Sequence, residues 1–154
     1  MQENFVLNEK SVSQNPAIEV LKRMGYTYLS REECAALRDN PFGVLLKPIL
    51  KIQLEKLNSF EYGGEKRSFS DANILRAVDE LDEPLTDGLI KTSEKIYDAL
   101  MLGKSYAEQT KDGTIKSFNL KYIDWDNPEN NVFHVTEEFS VESWDRLHNA
   151  RPDI

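Results

Sequence analysis

The last four residues, Arg151–Ile154, contain the side chain best suited to metal chemistry. Asp153 follows Pro152 where an apolar strand is expected to begin, so its carboxylate can be held in a fixed direction. Magnesium binds one or two protein carboxylates together with water and phosphate oxygens. Such an ion activates water and stabilises charge on a phosphodiester. Asp153 is therefore a candidate metal ligand, although one carboxylate alone does not make a metal site.

Other acidic residues give weaker indications of chemistry. Asp124 and Asp126 lie in one loop, where they either bind a cation or form turns. Glu137 and Glu138 are neighbours on a predicted strand, and successive side chains of a strand point to opposite faces. These two glutamates are therefore not expected to act as a pair.

The remaining chemical motifs are incomplete. His134 lies on a predicted strand and His148 in a polar loop, and no Cys/His cluster has the spacing of a zinc site. Tyr62–Glu65 contains two glycines but lacks the Lys and Ser of a phosphate-binding loop. Cys34 has acidic neighbours, which do not lower the pKa of a thiol, so buried packing is expected of it rather than nucleophilic attack.

Charge and composition limit the possible functions. The 154 residues carry 19 basic and 27 acidic side chains, a net charge of −8, which argues against binding nucleic acid by overall charge but not by a local basic surface. One such flank, formed by Lys47, Lys51 and Lys56, is either a solvated face or a phosphate-binding one. A single cysteine fits the reducing cytoplasm. No apolar run is long enough to cross a membrane, and the first residues do not have the layout of a signal peptide.

Helical patterns fill the first two thirds of the chain, after a loose lead-in expected over residues 1–13. A helix is predicted over Pro16–Met24, ended by Gly25. A Ser30–Glu33 capping box predicts the next helix, to about Arg38.

Three more helical segments follow. A helix start is predicted at Asp39–Pro41, and the apolar run Phe42–Asn58 predicts a helix that is kinked or divided at Pro48. Ser70 is expected to cap another helix. The clearest pattern spans Gly88–Gly103, where one apolar stripe is expected to face the core. The stripe contains Leu89, Ile90, Ile96, Tyr97, Leu100 and Met101.

After Gly103 the spacing of apolar residues changes from the period of a helix to that of a strand. Asp112–Gly113 predicts a hairpin between Ser105–Thr110 and Thr114–Ile123. Val132–Val141 alternates between apolar and polar side chains, which predicts a half-buried strand. Helices followed by antiparallel strands indicate an α+β domain.

The ordered set of motifs resembles the N-terminal nuclease region of the restriction (R) subunit of type I restriction–modification enzymes, over about Gln14 to Ile154. No single motif carries the resemblance. The matching segments are AIEVLKRMGY, GVLLKPIL, FSDANI, GLIKTSEKIYDALMLG, YIDWDNP, NPENNVFHVTEEFSVE and RPDI.

The resemblance implies a nuclease of the PD-(D/E)xK class, here with an incomplete fold. In that class the aspartate of the Pro-Asp pair is a catalytic metal ligand for Mg²⁺, which matches Asp153. The following strand of the family supplies a glutamate and a lysine that have no counterpart in these 154 residues. An early family helix sometimes adds an acid; Gln14 stands at that place and Glu19 is the nearest acid, so this role stays unassigned.

The resemblance also implies a larger assembly. The complete R subunit cleaves double-stranded DNA, uses ATP to translocate it, and joins modification and specificity subunits; the ATP-site motifs do not occur in this chain. Residues 14–154 would be a truncated nuclease domain, with a helical part to about residue 103 and a β part from about 104. On its own the chain is expected to be inactive.

Two other functions remain open at this stage. The chain can be a non-catalytic module whose helices dock a partner subunit. It can also be a small acidic antirestriction protein that imitates DNA, although its acids are interspersed with 19 basic residues.

Overall fold

The computed structural model of the chain describes residues 13–41, 43–82, 84, 87–142 and 149–150. These residues form helices and short strands, which confirms the α+β prediction. The helices are α1 (Asn15–Arg23), α2 (Arg31–Ala36), α3 (Lys47–Leu57), α4 (Asp71–Leu81), α5 (Leu89–Leu102) and a 3₁₀ turn (Pro128–Asn130). The strands are β1 (Thr27–Tyr28), β2 (Phe60–Tyr62), β3 (Glu65–Arg67), β4 (Lys104–Gln109), β5 (Ile115–Leu120), β6 (His134–Val135), β7 (Val141–Glu142) and β8 (Asn149–Ala150).

The chain divides into two compact units. The first comprises Met1–Leu46 and Val132–Ile154, and the second comprises Lys47–Asn131. Strands are not confined to the part predicted to be β, because β1, β2 and β3 all precede residue 103. Among the described strands, β2–β3, β4–β5 and β7–β8 pair antiparallel, whereas β1–β6 is parallel.

In the first unit, β1 follows α1 and pairs with a strand more than a hundred residues later. The amide of Thr27 donates to the Phe133 carbonyl and the amide of Leu29 to the Val135 carbonyl, both at 2.9 Å. Ser30 then begins α2 with the predicted capping box, in which Ser30 and Glu33 each accept the other's backbone amide. This box sets the direction of α2.

The predicted strand over Val132–Val141 is wrong in length. Only His134–Val135 is paired as β6, and β7 begins at Val141. Glu138 has φ +52°, a left-handed conformation that an extended strand does not contain. The alternating sequence shows which side chains can share a face, but this bend ends the extended run.

In the second unit, α3 and α4 pack together beside the β4–β5 hairpin. Leu54, Ile74, Tyr106 and Leu120 are its largest fully buried side chains. The Phe60 ring stacks on Phe118 with centroids 4.1 Å apart. The hairpin has the predicted position, because Gly113 adopts φ +81° in its turn.

The helix predicted over Phe42–Asn58 is shorter in the structure. It begins at Lys47, so Pro48 lies in the first turn, where its missing amide has no helical partner to lose. The helix start predicted at Asp39–Pro41 is wrong as well, because residues 37–41 form turns and bends.

The apolar stripe of α5 does not face the core, which corrects the prediction. Ile90, Tyr97 and Met101 are 75%, 62% and 42% exposed, and Thr92 is the buried residue of this helix. Helical spacing places apolar residues on one face, but it does not determine whether anything packs on that face.

Candidate functional site

The first unit contains a cavity of about 390 Å³ between α2 and residues 136–140. The wall from α2 is set by the capping box at Ser30, and the opposite wall by the bend at Glu138. The lining mixes arginines, acids and small polar groups: Arg31, Cys34, Ala35, Arg38, Asp39, Asn40, Pro41, Thr136, Glu137, Glu138, Phe139 and Ser140.

Arg38 holds the two walls of this cavity together. Its Nε donates to the Gly43 carbonyl at 2.7 Å and its Nη2 to the Ser140 carbonyl at 2.5 Å. The guanidinium also lies 4.0 Å from the centre of the Phe139 ring. A planar cation with five donors can make all of these contacts at once, so Arg38 orders the cavity.

Glu137 and Glu138 both line this cavity and do not lie on a strand, so the predicted separation onto opposite faces of a strand does not apply to them. Glu138 forms an ion pair with Arg31, whereas Glu137 is only 9% exposed. Thr136 Oγ1 is buried and has no hydrogen-bond partner among the described residues. An unpaired buried hydroxyl can bond a polar ligand, but the lining shows no nucleophile with an adjacent base.

The prediction that Cys34 is buried is confirmed. It is 3% exposed on α2 and packs in the interior. A buried thiol with acidic neighbours is poorly suited to nucleophilic chemistry.

Asp153 and His148 both lie outside the described residues. His134 is half-buried on β6, in the parallel pair with β1. The structure therefore does not test the predicted role of Asp153 as catalytic residue and metal ligand.

The two α1 candidates have different environments. Gln14 is 6% exposed, immediately before the helix. Glu19 lies on the solvent side, where a 2.8 Å hydrogen bond from Lys22 holds the pKa of its carboxyl below the usual value. Glu19 is therefore committed to a surface ion pair, and Gln14 is the buried group of the two.

Asp124 forms a turn, which supports the turn interpretation over a cation site. Its Oδ2 accepts from Asn130 Nδ2 at 2.9 Å, and its Oδ1 accepts from Lys121 Nζ at 3.0 Å. These two donors, with the Asn127 amide, lower the pKa of Asp124 to about 2. Asn131 closes the loop by bonding both the amide and the carbonyl of Asp124.

The basic flank of α3 is largely neutralised. Lys47 Nζ lies 2.9 Å from Asp82 and 3.8 Å from Asp79, and Lys51 Nζ lies 2.5 Å from Glu55. Two of the three lysines thus have carboxylate partners, which favours a solvated face over a phosphate-binding one.

The sequence analysis did not identify a buried tyrosine pair in the second unit. Tyr106 donates to Glu80 at 2.6 Å, Tyr122 donates to the Ala77 carbonyl at 2.9 Å, and the two hydroxyl oxygens lie 3.1 Å apart. Burial, followed by the bond to Glu80, raises the pKa of Tyr106 far above its usual range. The alternation of side chains along the two strands could have indicated that Tyr106 and Tyr122 both face inward. Nothing in the local sequence indicated that the two rings would meet.

The pKa of Glu80 reflects two opposing effects. Burial raises it, but hydrogen bonds from Lys104 and Tyr106 outweigh the burial and hold it below the usual value. A lowered pKa favours the ionised form of Glu80, which accepts the hydrogen bonds of Lys104 and Tyr106.

Within the described ranges, no group of three or more His, Cys, Asp or Glu side chains could hold a metal ion. No described helix is long and apolar enough to cross a membrane.

Comparison with known proteins identifies a family. The family described as "Type I restriction enzyme R protein N terminus" matches residues 6–154. No curated protein and no solved structure matches the chain.

Proposed function

The chain belongs to the family of type I restriction enzyme R protein N termini, and we propose that it supplies part of the DNA-cleaving region of such an enzyme. The observation that supports this proposal is the extent of the family match, which spans residues 6–154. The proposed substrate is double-stranded DNA, and the proposed partners are modification and specificity subunits. ATP-driven translocation is proposed for other parts of the R protein, because the motifs of an ATP site do not occur in this chain.

Asp153 is the proposed metal ligand, with Mg²⁺ as the proposed ion. When bound, such an ion activates water and stabilises charge on the phosphodiester. The described residues do not include Asp153 and contain no fitting ligand set of their own, so the proposed metal site rests on Asp153 and on the family match. The proposed fold of this region is an incomplete PD-(D/E)xK nuclease fold.

The proposed role of Asp153 is tested in an R polypeptide that contains these 154 residues. Asp153→Asn should abolish Mg²⁺-dependent cleavage of plasmid DNA while leaving ATP hydrolysis intact. Asp126→Asn, which changes an exposed loop aspartate, should leave both activities unchanged. Full cleavage by the Asp153→Asn variant would exclude this residue from the nuclease site.

The isolated chain is proposed to be inactive. The 154 residues contain no counterpart of the glutamate and lysine that the nuclease class places after the Pro-Asp pair. With Mg²⁺ or Mn²⁺ the chain should therefore leave plasmid DNA uncut. Cleavage that Asp153→Ala removes would contradict the proposal.

A second candidate function is docking onto the assembled modification–specificity complex. The exposed stripe of α5 favours it, because Ile90, Tyr97 and Met101 form an exposed apolar row on one helix. Tyr97→Lys should then weaken capture of the complex, whereas Lys91→Ala on the same helix should not. Equal capture by both variants would exclude this face.

The third function considered, imitation of DNA by acidic side chains, is disfavoured by the ion pairs. Glu80 binds Lys104 and Arg76, and Asp82 binds Lys47, each at 2.8–2.9 Å. Acids that are neutralised locally do not present the continuous negative surface that imitation of DNA requires.

A further inference from the structure

The exposed apolar row of α5 is bordered on one side by two carboxylates. Ile90, Tyr97 and Met101 are separated by seven and then four residues, which places them in a nearly straight line about 16 Å long. Glu94 and Asp98 lie beside this line, one helical turn apart, and both are exposed. The buried residue of α5 lies on the opposite side of the helix, so the row and the two carboxylates share one solvent-facing surface.

Neither carboxylate has a partner in the part of the chain that the structure describes. Glu94 and Asp98 form no ion pair or hydrogen bond there, and Lys91, one turn before Glu94, is not paired with either of them. Lys95 is bonded instead to Asp87 at 2.8 Å. Like charges four residues apart on a helix repel each other, so a cation that binds beside this pair would stabilise α5.

The same two acids line a shallow depression in the surface. Its volume is about 450 Å³, and its walls are Ser93, Glu94, Tyr97 and Asp98. The depression therefore joins an aromatic ring of the apolar row to both carboxylates. A guanidinium or ammonium group placed there would form ion pairs with the carboxylates and lie near the ring, while the methylene groups of its side chain would cover apolar surface.

Charge selects the class of molecule that fits this surface. Nucleic acids and anionic lipids carry phosphates, which Glu94 and Asp98 would repel. A second copy docked through the same row would bring four of these carboxylates to one interface, where like charges oppose binding. A helix that carries basic residues beside an apolar stripe complements both features, because its stripe packs on the row and its cations meet the carboxylates.

We propose that α5 binds an amphipathic helix of the modification–specificity complex, and that this helix carries two basic residues one turn apart beside its apolar stripe. The inference rests on the docking function proposed above for α5 and adds the chemistry of the partner segment. The spacing follows from Glu94 and Asp98, whose Cβ atoms are about 6 Å apart on one helix face. Arginine suits these positions better than lysine, because its planar group can bond a carboxylate through two donors.

The test measures binding of an R polypeptide that contains these residues to the purified modification–specificity complex, by surface plasmon resonance at several salt concentrations. The double variant Glu94→Lys/Asp98→Lys should slow association about tenfold at about 50 mM salt, because attraction between opposite charges is replaced by repulsion. The difference should shrink to less than about twofold at about 0.5 M salt, where exposed charges are screened.

Three further variants separate the roles of the acids and of the apolar row. Glu94→Gln/Asp98→Asn removes both charges without adding cations and should slow association about threefold at low salt. Tyr97→Lys changes the row and should speed dissociation about tenfold. Glu61→Lys is the matched control, because it reverses an exposed carboxylate on β2 instead of α5, and it should leave both rates unchanged. Circular dichroism shows whether each variant is folded.

The outcomes distinguish this inference from the docking function on which it rests. If Tyr97→Lys weakens binding and both acid variants bind as the parent does, α5 is a docking face but its partner is not a basic helix. If none of these variants changes binding, both proposals are overturned. Dimerisation of the R polypeptide that Tyr97→Lys abolishes, detected by sedimentation velocity, would assign the row to a second copy and overturn the inference as well.

Discussion

Replacing Asn58 by alanine should destabilise the chain more than its size suggests. The side chain is 6% exposed and makes three hydrogen bonds: Nδ2 donates to the Leu54 and Lys121 carbonyls, and Oδ1 accepts the Lys121 amide, all at 2.8–3.0 Å. The Leu54 carbonyl keeps a second donor, the Asn58 amide at 3.1 Å. The backbone groups that lose their hydrogen-bond partner in Asn58→Ala are therefore the amide and carbonyl of Lys121.

The expected magnitude follows from the two groups left without partners at Lys121. An unsatisfied amide or carbonyl costs about 1–3 kcal/mol when fully buried. Lys121 is half-buried, so water can reach these groups and the lower end of the range applies to each. Asn58→Ala should lower the free energy of unfolding by about 2–3 kcal/mol, a large part of the 5–15 kcal/mol that is typical of a domain.

Urea denaturation followed by circular dichroism measures this loss. With a slope of about 2 kcal/mol/M, the midpoint should fall by about 1 M. Asn119→Ala is the matched control, because its exposed Nδ2 makes one bond, to the Leu102 carbonyl at 3.1 Å, and should cost less than about 0.5 kcal/mol. If both variants lose the same stability, the hydrogen bonds from Asn58 to the Lys121 backbone do not contribute the expected stabilisation. Faster exchange of the Lys121 amide in Asn58→Ala would locate the effect.

Three further predictions concern stability. Ser30→Ala removes the cap of α2 and should cost about 1 kcal/mol in thermal or urea unfolding; no loss would show that the capping box contributes little. Gly103→Ala should cost about 3 kcal/mol, because φ is +73° and the new Cβ would collide with the Leu120 carbonyl, whereas Gly63→Ala, at φ +60° in open space, should cost only about 1 kcal/mol. Asp124 has its folded pKa lowered to about 2 from 3.8, so its stabilisation is complete above pH 3.8 and is lost as pH falls towards 2. Unfolding measured through that interval should therefore depend less on pH in Asp124→Asn than in the parent chain, and equal slopes would contradict the assignment.

Local signals predicted several boundaries well. The Ser30–Glu33 box, the Ser70 cap and the glycines after two helices are confirmed as caps or termini. Each depends on residues within a few positions, whose hydrogen bonds form regardless of the rest of the fold. The Asp112–Gly113 hairpin was predictable for the same reason.

The candidate site was less predictable. The cavity beside Arg38 joins α2 to residues about 100 positions later, and no spacing in the sequence indicates that contact. Asp124 was recognised as either a cation ligand or a turn former, and only the positions of Asn130 and Asn131 decided between these. The proposed role of Asp153 rests on the resemblance and the family match, since this residue lies outside the described residues.

The sequence by itself determined the α+β class, the helix caps, the hairpin and, through its ordered motifs, the family. Only the tertiary structure decided that β1 pairs parallel with β6, that the α5 stripe is exposed, and that Asn58 bonds the backbone at Lys121. Period and composition show which face of an element is apolar, but not which element covers it. That depends on packing between residues far apart in the chain, where burial and hydrogen-bond satisfaction select one arrangement.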